Sequence, residues 1–149
     1  MASPAGNEAT MIPASPYNTN AAAASSRHAP AMVRDDDILT YRAELDRRNI
    51  PHGALITFQS LLAISSFEPK AFIHRISPRP LLMVVGELER TIPIDLQLKA
   101  FEEAQEPKEL YTVKGQGHFR LYHSEGFEEN IQVQLRWLKK VFSLSADSR

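Results

Sequence analysis

The sequence predicts an α/β fold built around a parallel sheet, and three observations carry the prediction. The run Leu81-Leu82-Met83-Val84-Val85-Gly86 is apolar without alternation and bounded by Pro80 and a glycine, the pattern of a strand buried on both faces. Short strand-like and helix-like segments alternate along the chain, an order that suits crossovers between parallel strands. A long amphipathic segment closes the chain.

Residues 1–34 consist mainly of Ala, Pro, Ser, Asn and Thr, carry only Glu8, Arg27 and Arg34 as charges, and show no period of either regular structure. Such a segment buries too little apolar surface to offset the entropy of ordering it, so a disordered tail is expected. From Asp35 the composition changes, and residues 35–143 are expected to form the domain, with 144–149 a short C-terminal tail. Ile38, Tyr41 and Leu45 share one helical face, with Asp35 to Asp37 at the start and Arg47-Arg48 at the end, which predicts a helix over roughly 36–48. Three consecutive carboxylates lack the spacing of a calcium loop, so they read as helix-start residues. Leu55, Phe58, Leu62 and Ser65 describe a second helix, ending before Phe67.

After the strand at 81–86, Pro93 suits the first turn of a third helix that runs to about Gln105 with Ile94, Leu98 and Phe101 inward. Glu109 to Val113 reads as a short strand. The last helix spans about Phe127 to Phe142, with Phe127, Ile131, Leu135, Leu138 and Phe142 as its expected buried stripe and Trp137 at the border of the core.

Composition removes several function classes. Seventeen basic residues against eighteen acidic ones give a net charge of −1, so there is no electrostatic reason to expect nucleic acid or an anionic membrane as partner. With no cysteine, thiolate nucleophiles and Cys-ligated zinc or iron–sulfur clusters are excluded. No residue pattern asks for a cofactor or a metal. The longest apolar run, Pro80 to Val85, is far short of the roughly twenty residues of a membrane span. No basic-then-apolar leader opens the chain, so a cytoplasmic setting is the default expectation.

In open α/β sheets, ligands sit beyond the carboxyl ends of the strands. Two loops follow predicted strands here: Gly86-Glu87-Leu88-Glu89-Arg90-Thr91-Ile92-Pro93 and Lys114-Gly115-Gln116-Gly117-His118-Phe119. Neighbouring strands would bring Glu89 beside His118, an acid positioned to orient an imidazole, as in the nucleophile, base and acid triads of acyl-transfer enzymes. The plainer alternative is a solvated loop in which Glu89 pairs with Arg90 or Arg120. His52, His74 and His123 have no partner that the sequence reveals and read as surface or structural residues.

The stretch from His74 to Pro93, followed by Lys-Gly-Gln-Gly-His118-Phe, resembles the C-terminal half of the α/β-hydrolase superfamily, in which a strand ends in Gly-x-x-acid with a nearby Pro and a later Gly-His supplies the base. Ile56 to Leu61 and Phe67-Glu68-Pro69 extend the resemblance upstream. It looks closest to the fungal esterase-like proteins of secondary-metabolite clusters called polyketide transferases, and covers roughly residues 35–142. The resemblance implies a partial α/β-hydrolase fold, His118 as general base, Glu89 at the position usually held by Asp, a small hydrophobic ester or thioester as substrate, and a place in secondary-metabolite or toxin biosynthesis.

One part of the family pattern is missing. The nucleophile elbow, Gly-x-Ser-x-Gly, lies upstream of the acid in that family, yet before Gly86 the sequence has only Gly6 and Gly53, and neither flanks a serine. The His-Gly-Gly type of oxyanion loop is absent too. The sequence therefore reads as a truncated member that keeps base and acid, with two outcomes open: a hydrolase or acyltransferase whose nucleophile comes from water or another chain, or an inactive remnant serving as a binding module or having no function of its own. Missing strands would leave a sheet edge exposed, so a homodimer or partner covering that edge is expected.

Overall fold

A computed structural model describes residues 9–13, 37–52 and 55–146. In chain order the elements are β1 (Met11–Pro13), α1 (Asp37–Arg47), β2 (Leu55–Thr57), α2 (Phe58–Ser66), a 3₁₀ segment (Pro69–Arg75), β3 (Leu81–Gly86), α3 (Ile94–Glu103), β4 (Lys108–Val113), a second 3₁₀ segment (Phe119–Tyr122) and α4 (Ser124–Ala146). Contacts divide them into two units.

The smaller unit gathers β1 with residues 50–68. Met11–Pro13, which lies in the stretch expected to be a structureless tail, forms an antiparallel pair with β2 in the register Met11↔Thr57, Ile12↔Ile56, Pro13↔Leu55. Apart from Ala9 and Thr10, the rest of that stretch lies outside the described residues. Leu55 to Thr57 are extended and do not form the first turn of the second helix, as the apolar spacing suggested. Local chemistry explains the difference: Ile56 and Thr57 are β-branched, and the Thr57 hydroxyl accepts the Ser60 N–H at 3.1 Å, so Thr57 caps α2 and the helix begins after it.

The larger unit holds residues 37–49 and 69–146. Its sheet is the parallel pair β3–β4, running from Leu81↔Lys108 to Gly86↔Val113. The core is narrow. Val85 and Val113, near the strand ends and set on opposite faces by the register, are 1% and 0% exposed, whereas Leu81 to Val84 are only half-buried. The expectation of a strand buried on both faces is thus met only at its carboxyl end, because two strands and their helices cannot cover the whole ribbon. Leu81 N–H donates to Pro107 and Glu87 N–H to Val113, so the odd-numbered peptides of β3 face β4. By the alternation of a parallel ladder, those of Leu82, Val84 and Gly86 face the opposite edge, where no described strand pairs.

At the other end of the unit, Lys108 closes α3: its ammonium donates to the carbonyls of Phe101, Glu102 and Ala104 at 2.7, 3.0 and 2.7 Å, which satisfies orphan acceptors and places a cation at a helix carboxyl terminus.

The face of α4 that turns inward differs from the expected one. Gly126, Asn130 and Val133 are buried, while Phe127, Leu135, Leu138 and Phe142 are 39–68% exposed. The helix is rotated from the apolar stripe because Asn130 has a polar reason to be inside: its amide donates to the Leu121 carbonyl at 3.1 Å and its oxygen accepts from Gln134 at 2.6 Å. Among the described residues no helix is long and apolar enough to cross a membrane.

Candidate active site

The parallel register puts the loops after β3 and β4 side by side, and the backbone then joins them. Leu88 N–H donates to the Gln116 carbonyl at 2.9 Å. Gly115 N–H donates to the Glu87 carboxylate at 2.8 Å. Gly86 lets the loops meet, for a Cβ there would lie 2.5 Å from the Gln116 oxygen and 3.0 Å from that of Gly117. Gly115, at φ +66°, makes the turn that L-residues resist.

On this joined double loop Glu89 and His118 come together. Glu89 Oε2 lies 2.8 Å from His118 Nδ1, and Glu89 Oε1 accepts the Ile92 N–H at 3.0 Å. The Glu89 side chain is 3% exposed and that of His118 22%, so the acid is enclosed while the imidazole reaches the surface. Nδ1 is the ring nitrogen turned to the carboxylate, and the other, Nε2, has no hydrogen-bond partner among the described residues. Phe119 and Tyr122 pack edge-on against the ring, with centroids at 4.8 and 5.9 Å. The structure thus brings the two expected site residues into contact, and Glu89 pairs with neither arginine. Arg120 reaches Asp37 instead, at 3.4 Å.

Asp37 is a part of this region that the sequence did not suggest. It sits in the first turn of α1, as expected, but its Oδ2 also accepts the backbone N–H groups of Phe119 and Arg120 at 2.8 and 3.3 Å. No local signal exposes a contact across 82 residues. His123 is buried and its Nε2 lies 3.3 Å from the Thr40 hydroxyl, which bears out a structural reading for that histidine. Ser77, by contrast, donates to the Glu106 carbonyl at 2.8 Å where the strands begin. Six-residue strands put that end roughly 17 Å from the loops bearing Glu89 and His118. Among the described residues, no group of three or more His, Asp or Glu could hold a metal ion.

No family model matches the chain. Individual proteins do. The polyketide transferase grgF of a Penicillium species is 35% identical over 96 residues, spanning 64% of this chain and 32% of that protein. The acyltransferase drtE of Aspergillus calidoustus is 31% identical over 87 residues, 58% of this chain and 28% of its own length. Among solved structures, the α/β hydrolase GrgF from Penicillium sp. sh18 superposes with a TM-score of 0.65 at 26% identity, covering 93% of this chain and 44% of that one. DcsB in complex with its substrate analogue gives 0.68 at 25% identity, over 91% and 45%.

Over the residues it spans, the chain therefore has a partial α/β-hydrolase fold, and the joined loops of Glu89 and His118 follow its parallel strands. Within that class it is a relative of the fungal polyketide transferases. It spans about a third of the length of the curated relatives it matches.

Proposed function

We propose that this chain takes part in acyl transfer or in ester or thioester hydrolysis on a small hydrophobic substrate, in fungal secondary metabolism, with His118 as general base and Glu89 as the acid that orients it. The observation that carries the reading is the enclosed Glu89 carboxylate 2.8 Å from Nδ1, with Nε2 left without a hydrogen-bond partner among the described residues. From there the base takes the proton of an attacking hydroxyl as its oxygen bonds to the acyl carbon, then returns it to the leaving group. The 149 residues contain no Gly-x-Ser-x-Gly, and in this reading the hydroxyl is that of a water molecule or of a residue outside them. The relatives' names, polyketide transferase and acyltransferase, suggest the substrate class.

Geometry also suggests how another chain would dock: the outward peptides of Leu82, Val84 and Gly86 offer a strand edge, and a homodimer pairing there is part of the proposal. A soluble setting in the cytoplasm completes it.

Purified protein assayed with p-nitrophenyl esters and thioesters tests the reading. General-base catalysis contributes about 10² to 10⁴-fold, so His118→Ala is expected to remove activity by that factor. Turnover that survives the substitution removes His118 from the mechanism.

A second reading has its own support. In it the chain acts as a binding module, and the groove where Leu82, Val84, Leu121, Trp137 and Leu138 meet Asn130 and Gln134 offers a mixed apolar and polar surface to a ligand. Robust turnover dependent on His118 overturns that alternative.

A further inference from the structure

His118 is held toward Glu89 from two sides, and the second side is supplied by α1. On the first side, the Leu88 to Gln116 hydrogen bond fixes the chain just before the histidine. On the second, His118 caps a four-residue 3₁₀ segment whose first two N–H groups, those of Phe119 and Arg120, have no partner within the segment itself. Both are accepted by one carboxylate oxygen, Asp37 Oδ2. The Asp37 side chain is 10% exposed. These are charge-assisted hydrogen bonds at a largely enclosed site, among the stronger kinds available to a backbone.

The surroundings of Asp37 are arranged around this contact. The Thr40 hydroxyl donates to the Asp37 carbonyl at 2.9 Å, which steadies the first turn of α1. Tyr41 stacks on Phe119 with ring centroids 5.5 Å apart. Residue 117 is glycine, and a Cβ there would stand 2.7 Å from Oδ2 and push the carboxylate off. The ion pair between Asp37 and half-exposed Arg120, at 3.4 Å, adds little by comparison.

We infer that Asp37 is a positioning residue: by fixing the backbone at 119 and 120 it sets the direction of the His118 side chain and holds the imidazole on Glu89. This inference deepens the reading of His118 as base and rests on it. The route runs through the backbone N–H groups of Phe119 and Arg120, which Asp37 accepts.

The test is nuclear magnetic resonance on the full, isotope-labelled chain, which reads the His118 ring nitrogens and the Phe119 amide without any need for turnover. Asp37→Ala is expected to speed exchange of the Phe119 amide by roughly tenfold or more, the loss of a hydrogen bond to a charged acceptor. It should also shift the ring nitrogens toward their positions in Glu89→Ala, where the pair is absent. Gly117→Ala, which displaces the carboxylate without altering it, is expected to shift them in the same direction. Arg120→Ala removes the ion pair alone and is expected to leave them where they are.

The inference is overturned if Asp37→Ala loosens the Phe119 amide while the ring nitrogens keep their wild-type positions, since Asp37 would then be merely structural. It is equally overturned if Arg120→Ala moves them. Should Asp37→Ala fail to fold, Gly117→Ala carries the decision by the same criterion. A His118 that proves dispensable for turnover would remove the proposed function and leave this measurement intact.

Discussion

Replacing Glu89 by glutamine separates what the acid does for stability from what it does for the imidazole. The carboxylate is 3% exposed and accepts two hydrogen bonds, from His118 Nδ1 at 2.8 Å and from Ile92 N–H at 3.0 Å. Glutamine has nearly the same volume, and the Ile92 N–H requires an oxygen, so the amide must turn its NH₂ toward the ring. A donor facing Nδ1 forces the ring proton onto Nε2, the atom a base must keep free. In serine triads the corresponding change from acid to amide costs about 10⁴-fold in rate through this tautomer reversal. Stability should fall by only about 1–2 kcal/mol, since one hydrogen bond persists and the other loses its charge. Glu89→Ala strands both donors, and its cost should reach about 2–4 kcal/mol, tempered by water at the partly exposed imidazole. Urea unfolding measures the two costs, and nitrogen chemical shifts at a pH where the ring is neutral report the tautomer. A ring that keeps its proton on Nδ1 in Glu89→Gln, or an alanine variant within about 0.5 kcal/mol of wild type, refutes the reasoning.

Two further perturbations probe the frame. Gly86→Ala sets a methyl 2.5 Å from the Gln116 oxygen, which is backbone and cannot swing aside, so a loss of about 1–3 kcal/mol is expected in urea unfolding. Gly115→Ala meets no atom within 4 Å and bears only the strain of φ +66°, about 1 kcal/mol. On α1, hydrogen bonds from the Arg47 and then the Arg48 guanidinium lower the Glu44 carboxyl from 4.5 to about 2. A folded-state value below the unfolded one means that the contribution is complete above about 4.5 and fades as the pH falls toward 2. Urea midpoints taken from pH 6 downward should therefore decline less steeply in that window for Glu44→Gln than for wild type.

What the sequence disclosed was mostly local. Leu81 to Gly86 and Glu109 to Val113 were readable because apolar runs between proline and glycine have few alternatives, and their parallel pairing followed from the helix between them. Glu89 and His118 could be placed because each lies a fixed few residues beyond a strand end. The α4 face was misread for the opposite reason. Side-chain size favoured Phe127, Leu135 and Phe142, but the inward face was decided by Asn130, whose partner is the carbonyl of Leu121 in another element. A three-residue strand such as Met11–Pro13 has too few positions to show a period, and it takes shape only against β2. Asp37 belongs with these: its helix-start role was visible, its hold on the loop of His118 was not.

The seams between the two loops after β3 and β4 have an evolutionary consequence. Because Leu88 and Gln116, and Glu87 and Gly115, are fastened to one another, Glu89 and His118 are carried by two loops that are tied together. Substitutions elsewhere in the chain can then accumulate while this carboxylate and imidazole keep their spacing.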